Sequence, residues 1–149
     1  MDLSKISKGG QIFAAASIVF FVSTFLEWYG AEVQGVDIPG ATANAWDAGF
    51  LWGSLWGLLL IAGAVLLVLP AFGVKAPKIP TISFLAVAAL ATLFALLKLV
   101  IGEDDITYFG SPTIEVNASF GLYLSIIAAA AATFGGFLMF KESGGDLSD

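Results

Sequence analysis

Two ionisable residues, Glu27 and Lys98, fall inside otherwise apolar runs of the chain. Charged side chains within membrane-length segments mark relays, ion paths or buried pairs. Opposite signs near the ends of two such runs make Glu27 and Lys98 a candidate ion pair across a helix bundle. The competing reading is that each reaches the interface, since a lysine about one turn from the boundary can extend its ammonium into water. A second cluster, Glu103, Asp104 and Asp105, offers hard oxygen ligands of the kind calcium takes. No calcium-loop spacing accompanies it, and such a run reads more simply as a solvated face. Asn117 in "NAS" matches a glycosylation sequon, though it also abuts an apolar run.

The remaining catalytic inventory is missing. The 149 residues include no histidine, no cysteine and no arginine. That removes the usual general base near neutral pH, the thiol nucleophile and the bidentate anion clamp. Hydroxyl side chains such as Ser17, Ser54, Ser83, Thr92, Ser125 and Thr133 are scattered singly. No paired carboxylates, phosphate loop or metal-ligand spacing appears. The expectation is a protein that is not an enzyme, with no catalytic residue, metal site or cofactor and no affinity for nucleic acid.

What must position these residues follows from composition. The chain is 58% hydrophobic and 12% charged, with mean hydropathy +0.93, whereas soluble domains carry about 25% charged residues. Its apolar residues gather in four runs, 10–28, 50–72, 81–101 and 120–140, and a helix of roughly 20 residues crosses a bilayer core. The expected fold is an all-α membrane protein, a four-transmembrane-helix bundle forming one domain. The first run leads straight into Trp28, Tyr29 and acidic residues instead of a small-residue cleavage site, so it is expected to stay as an anchor. Lys5, Lys8, Lys75, Lys78 and Lys141 all fall on one side of this layout. The positive-inside rule makes that side cytoplasmic, with both termini inside. The outer side then carries −7 and the inner side +1, which together make the net charge of −6.

The inner connection "KAPKIP" (75–80) is short enough to make the second and third spans antiparallel neighbours, and Pro70 marks where the second helix bends or ends. The outer connections are longer. In "ITYFGSPTIEVN" two strand-like runs, 106–109 and 113–116, flank the turn residues Gly110, Ser111 and Pro112, which predicts a β-hairpin. One comparable run, 32–38, in the first outer connection is expected to add a strand and complete a small extracytoplasmic sheet cap. "NAWDAGFLWGSLWG" and "NASFGLYLSIIAA" also align at a constant offset, Gly49, Gly53 and Gly57 falling on Gly121, Ser125 and Ala129. That suggests a 2+2 internal repeat, with chance alignment of small residues as the alternative.

Small residues let helices approach closely where lipid supplies no hydrophobic drive. Gly49, Gly53 and Gly57 on one span, and Gly121, Ser125 and Ala129 on another, are the expected packing grooves, within the chain or toward a partner. Trp28, Trp46, Trp52 and Trp56 gather near the outer boundary. They read as an interfacial belt or, alternatively, as aromatics lining an interface or a site for a lipid or quinone-like apolar ligand.

The segments "FLEWYG", "NAWDAGF", "ASFGLYLSIIAA" and "GGFLMFKE" resemble the small, uncharacterised four-span membrane proteins of actinobacteria. The resemblance implies a bacterial plasma membrane and supplies no activity. The layout is also similar to the claudin-type tetraspans, but their paired loop cysteines and Trp-Gly-Leu-Trp signature are missing, so no function carries across. The leading expectation is a multi-pass plasma-membrane protein acting as an accessory, scaffolding or self-associating subunit, with the lipid bilayer and a membrane protein or a second copy as partners. A small transporter or channel subunit is the first alternative, and apolar ligand binding beside the tryptophans the second.

Overall fold

A computed structural model describes residues 6–33, 36–44, 46, 54–75, 79–101 and 114–142. Gly49, Trp52, Gly53, the acidic residues 103–105 and the 106–109 arm of the expected hairpin lie outside the described residues. Four helices follow in order: α1 (Lys8–Ser23), α2 (Leu55–Val68), α3 (Thr81–Ile101) and α4 (Phe120–Glu142). Three strands accompany them: β1 (Tyr29–Val33), β2 (Val36–Ala43) and β3 (Ile114–Ala118).

Local chemistry sets the helix ends. The Ser7 hydroxyl accepts from the Gly10 amide at 3.1 Å and caps α1, satisfying a donor that the first turn leaves unpaired. Pro70 has no N–H for the carbonyl four residues back; α2 stops at Val68 and a 3-10 turn, Leu69–Phe72, replaces it. Gly73 then closes that turn in the left-handed region, at φ 80°, bonding back to Leu69 and Pro70, a conformation glycine adopts without penalty.

Three helical stretches, Leu55–Phe72, Thr81–Val100 and Phe120–Glu142, are long and apolar enough to cross a membrane. α1 departs from expectation, with 16 residues ending at Ser23 where the apolar run extends to residue 28. At 1.5 Å per residue it covers roughly 24 Å, against about 30 Å of hydrocarbon. The Ser23 and Thr24 hydroxyls fold back onto the carbonyls of Phe20 and Phe21, and the Trp28 indole donates to the Ser23 carbonyl at 2.8 Å. These bonds satisfy backbone groups that a continuing helix would have used, so the chain turns out into β1.

Around the bundle the order is α1, α2, α3, α4. The α1–α4 interface is the most extensive, followed by α3–α4 and α1–α2, and α2–α3 is the slightest. Gly9 lies against Gly135, Gly57 against Thr24, Gly63 against Phe84 and Gly136 against Leu85, so each neighbouring pair runs antiparallel. Small residues fill many of the contacts between helices, beside the buried Phe13, Phe20 and Leu60, and large apolar side chains also face outward. Ala88, Ala91, Ala95, Ala129 and Ala132 are 0% exposed, while Val100 is 82% and Ile127 67% exposed. Helices solvated by lipid need this distribution, with small residues inward to allow close approach and large apolar ones outward. Between α3 and α4, the Thr92 and Thr133 hydroxyls meet at 3.1 Å, and each also lies within bonding distance of the carbonyl one turn back.

The sheet has the order β2-β1-β3, antiparallel throughout. The run 32–38, expected as one strand, is instead divided between two arms of a hairpin. Val33 pairs with Val36, and from there the two strands run antiparallel to Tyr29 and Ala43. β3 covers most of the second expected arm and pairs along β1, Tyr29 with Ala118 through Val33 with Ile114. The register places Asp37, Glu32 and Glu115 in one row across the three strands.

A Cβ on Gly135 would meet the Phe13 nitrogen at 2.6 Å and the Gly9 carbonyl oxygen at 2.8 Å. Both are backbone atoms, so a side chain there must push the helices apart. Gly135→Val is expected to cost about 3 kcal/mol or more, read as a lowered thermal midpoint in detergent. Ala130→Val, on the exposed face of the same helix, is expected to stay within about 0.5 kcal/mol.

Candidate functional site

The chemistry-bearing residues converge where the sheet joins the bundle. The antiparallel ladder of β1 and β3 continues past its last paired residues: the Ser119 amide donates to the Trp28 carbonyl at 2.8 Å, and the Gly121 amide to the Glu27 carbonyl at 2.8 Å. α4 therefore begins hydrogen-bonded to the segment that leaves α1. Gly121 allows this, since a Cβ there would sit 2.6 Å from the Glu27 carbonyl oxygen.

Trp28 and Tyr29 are 0% and 2% exposed and pack with Leu122 into a small core of their own. Polar atoms on such large buried rings need partners. The Trp28 indole has the Ser23 carbonyl, and the Tyr29 hydroxyl donates to the Lys98 carbonyl at 2.7 Å. Lys98 is itself 6% exposed, with its ammonium 5.7 Å from the centre of the Tyr29 ring, a distance at which the ring face attracts a cation. Glu27 stays exposed and its carboxylate accepts from the Ser119 hydroxyl at 3.0 Å. Glu27 and Lys98 thus engage neighbouring parts of one junction through different partners.

The tryptophans occupy separate settings. Trp46 is 39% exposed, stacks on Phe25 with ring centres 5.7 Å apart, and donates from its indole to the Thr24 hydroxyl at 3.1 Å. Trp56 is buried and stacks on Phe94 at 5.1 Å. Of the expected packing residues, Gly57 lies under Thr24 and Phe20 of the α1 end, Ser125 is buried with its hydroxyl on the Leu122 carbonyl, and Ala129 is fully buried. Among the described residues no group of three or more histidine, cysteine, aspartate or glutamate side chains is placed to hold a metal. The Ser17 hydroxyl, in the middle of α1, is buried without a hydrogen-bond partner. The junction's chemistry is that of a clamp, with backbone bonds, one buried cation over a ring and two anchored indoles.

Packing as tight as that at Gly121 also falls on residues that every-fourth-residue spacing does not reveal. Gly9 and Gly10 near the start of α1 meet Gly135 and Met139 of α4. The signal in the sequence is a pair of double glycines, in "SKGGQ" and "TFGGF". The Glu142 carboxylate accepts from the Gly9 amide at 3.1 Å, an anion at a helix N-terminus where the backbone dipoles favour it.

Comparison of the chain with protein-family models, with curated proteins and with solved structures finds no match. The class is therefore defined by the geometry, a helical bundle with three apolar helices of membrane-crossing length and a three-stranded sheet clamped to one end.

Tyr29→Phe removes the hydroxyl bonded to the Lys98 carbonyl and leaves that buried acceptor one partner short. The expected loss is about 1–2 kcal/mol, measured as a lower thermal midpoint in detergent. Glu27→Gln keeps an acceptor for Ser119 at an exposed position and is expected to leave the midpoint unchanged.

Proposed function

We propose that the protein is a non-enzymatic integral membrane protein that acts as an accessory or scaffolding subunit, presenting its sheet to a membrane partner or to another copy of itself. The observation that carries this reading is the double attachment of the sheet. β1 leaves α1 through the buried Trp28 and Tyr29, while β3 enters α4 through the single residue Ser119, with backbone bonds joining the two connections. A sheet held at both attachments keeps a fixed height and orientation above the bundle, as a recognition surface requires. A transporter would need a continuous polar strip along a helix face. The inward residues Ala88, Ala91 and Ala95 of α3 and Ala128, Ala129 and Ala132 of α4 favour packing over passage.

Extraction from native membranes in a mild detergent, followed by mass and composition analysis, tests the reading. The expected outcome is a complex larger than the 15.5 kDa chain that contains a second protein or further copies. A lone monomer from gently solubilised membranes would remove the subunit reading.

A further inference from the structure

A helix leaves its last four carbonyls without intrahelical partners, and water commonly serves them. In α1 these carbonyls belong to Phe20, Phe21, Val22 and Ser23, and every one of them accepts from the protein. The Thr24 amide lies 3.2 Å from the carbonyls of Phe20 and Phe21, and the Thr24 hydroxyl donates to that of Phe21 at 2.6 Å. The Phe25 and Leu26 amides donate at 3.1 Å to the carbonyls of Val22 and Ser23, and the Trp28 indole adds a second bond to Ser23. No carbonyl of this helix end depends on water.

Aromatic rings cover the same end. Ile18 and Val22 lie one turn apart on the outward face of α1, and Phe25 follows on the turn that ends it; all three are exposed, Phe25 by 57%. Phe21 meets Phe25 edge-on at 5.3 Å, and the exposed Trp46 stacks on Phe25 from the connection between β2 and α2. The Trp46 ring carries one donor, and it is turned inward onto the Thr24 hydroxyl. A tryptophan of an interfacial belt keeps its polar edge at headgroup level. Here the polar edge meets the helix end while the ring stays exposed. Glu27, exposed two residues past Phe25, sets the outer limit of this apolar patch.

We propose that α1 ends inside the hydrocarbon layer, and that Phe25 and Trp46 form a seal over that end in direct contact with the acyl chains of the bilayer. The proposal rests on the membrane reading above and assigns the occupant of one surface. At roughly 24 Å, α1 stops about 6 Å short of a bilayer core. A protein interface tolerates bridging water, whereas hydrocarbon requires every backbone polar group to be satisfied from within. The complete bonding of the helix end therefore favours lipid over a partner chain, and the patch is continuous with the outward stripe of α1.

The test is tryptophan fluorescence of the full chain in phosphatidylcholine liposomes, with bromine on the acyl chains as one quencher and iodide in the water as the other. The share of the emission due to Trp46 is the difference between wild type and Trp46→Phe, which keeps a ring on Phe25. Brominated chains are expected to remove that share, and iodide to leave it. Thr24→Val takes away the acceptor of the indole, and against the same Trp46→Phe background it is expected to shift the share to longer wavelength and open it to iodide. If Thr24→Val does not fold, the quenching of wild type decides alone.

Quenching of the wild-type share by iodide overturns the proposal, because the ring then lies in water or among headgroups. Quenching by neither agent overturns it as well, by placing a second copy of the chain over the ring. A folded Thr24→Val protein with an unchanged Trp46 share overturns the sealing bond. Alkaline carbonate washing of the liposomes separates the two levels. Protein released by the wash removes the membrane reading and the seal with it, whereas retained protein with an iodide-quenched Trp46 removes the seal alone.

Discussion

The approach of α1 to α4 sets most of what surrounds it. At Gly9 and Gly135 the two backbones come so close that a methyl group on either would overlap the other helix's main chain. Where the surrounding solvent is as apolar as leucine, burial gives little reason for helices to associate, and dispersion across a close backbone contact supplies it instead. The contact extends along the whole pair. Glu142 ties the start of α1 to the end of α4, and the Glu27 and Trp28 carbonyls tie the end of α1 to the start of α4. The strands leaving this pair therefore emerge side by side, and the β1–β3 register is an extension of the helix contact.

α2 stands in a different relation to the bundle. It meets α1 through Gly57 and Gly63, but its meeting with α3 is mediated by Trp56, Phe94, Phe13 and Phe84. Stacked and edge-on rings have favourable energies of their own, yet they hold helix axes apart where alanine would bring them together. One side of the bundle is thus closed by backbone proximity and the other by ring contacts.

Much of this was legible in the sequence. Unbroken apolar runs mark α3 and α4 closely and Pro70 marks the end of α2, because lipid-facing and core-facing positions are both apolar and length with a breaker places the ends; the expected start of the second span lies outside the described residues. α1 was overextended because Phe25 and Leu26 continue the apolar run, while what ends the helix is the reach of the Trp28 indole back to Ser23, a bond that composition does not display. The strand in the first outer connection was seen as one because valine and isoleucine are spread along it; the reversal that pairs Val33 with Val36 is not displayed by that composition. Glu27 and Lys98 were read as residues near the ends of two apolar runs. Their partners, Ser119 and the Tyr29 ring, belong to tertiary geometry. The double glycines were passed over because a single close crossing needs no repeated spacing.

The central position of β1 has a bearing on how the chain is assembled. Its neighbour β2 follows almost at once, but its other neighbour β3 is separated from it by two complete helices. α1 likewise finds its most extensive partner in the last helix of the bundle. During synthesis from the N-terminus, the hairpin forms early and then waits, as does the glycine face of α1, until α4 has emerged. Closing the α1–α4 seam and adding the third strand then become a single late event, so a chain cut short before α4 lacks both together.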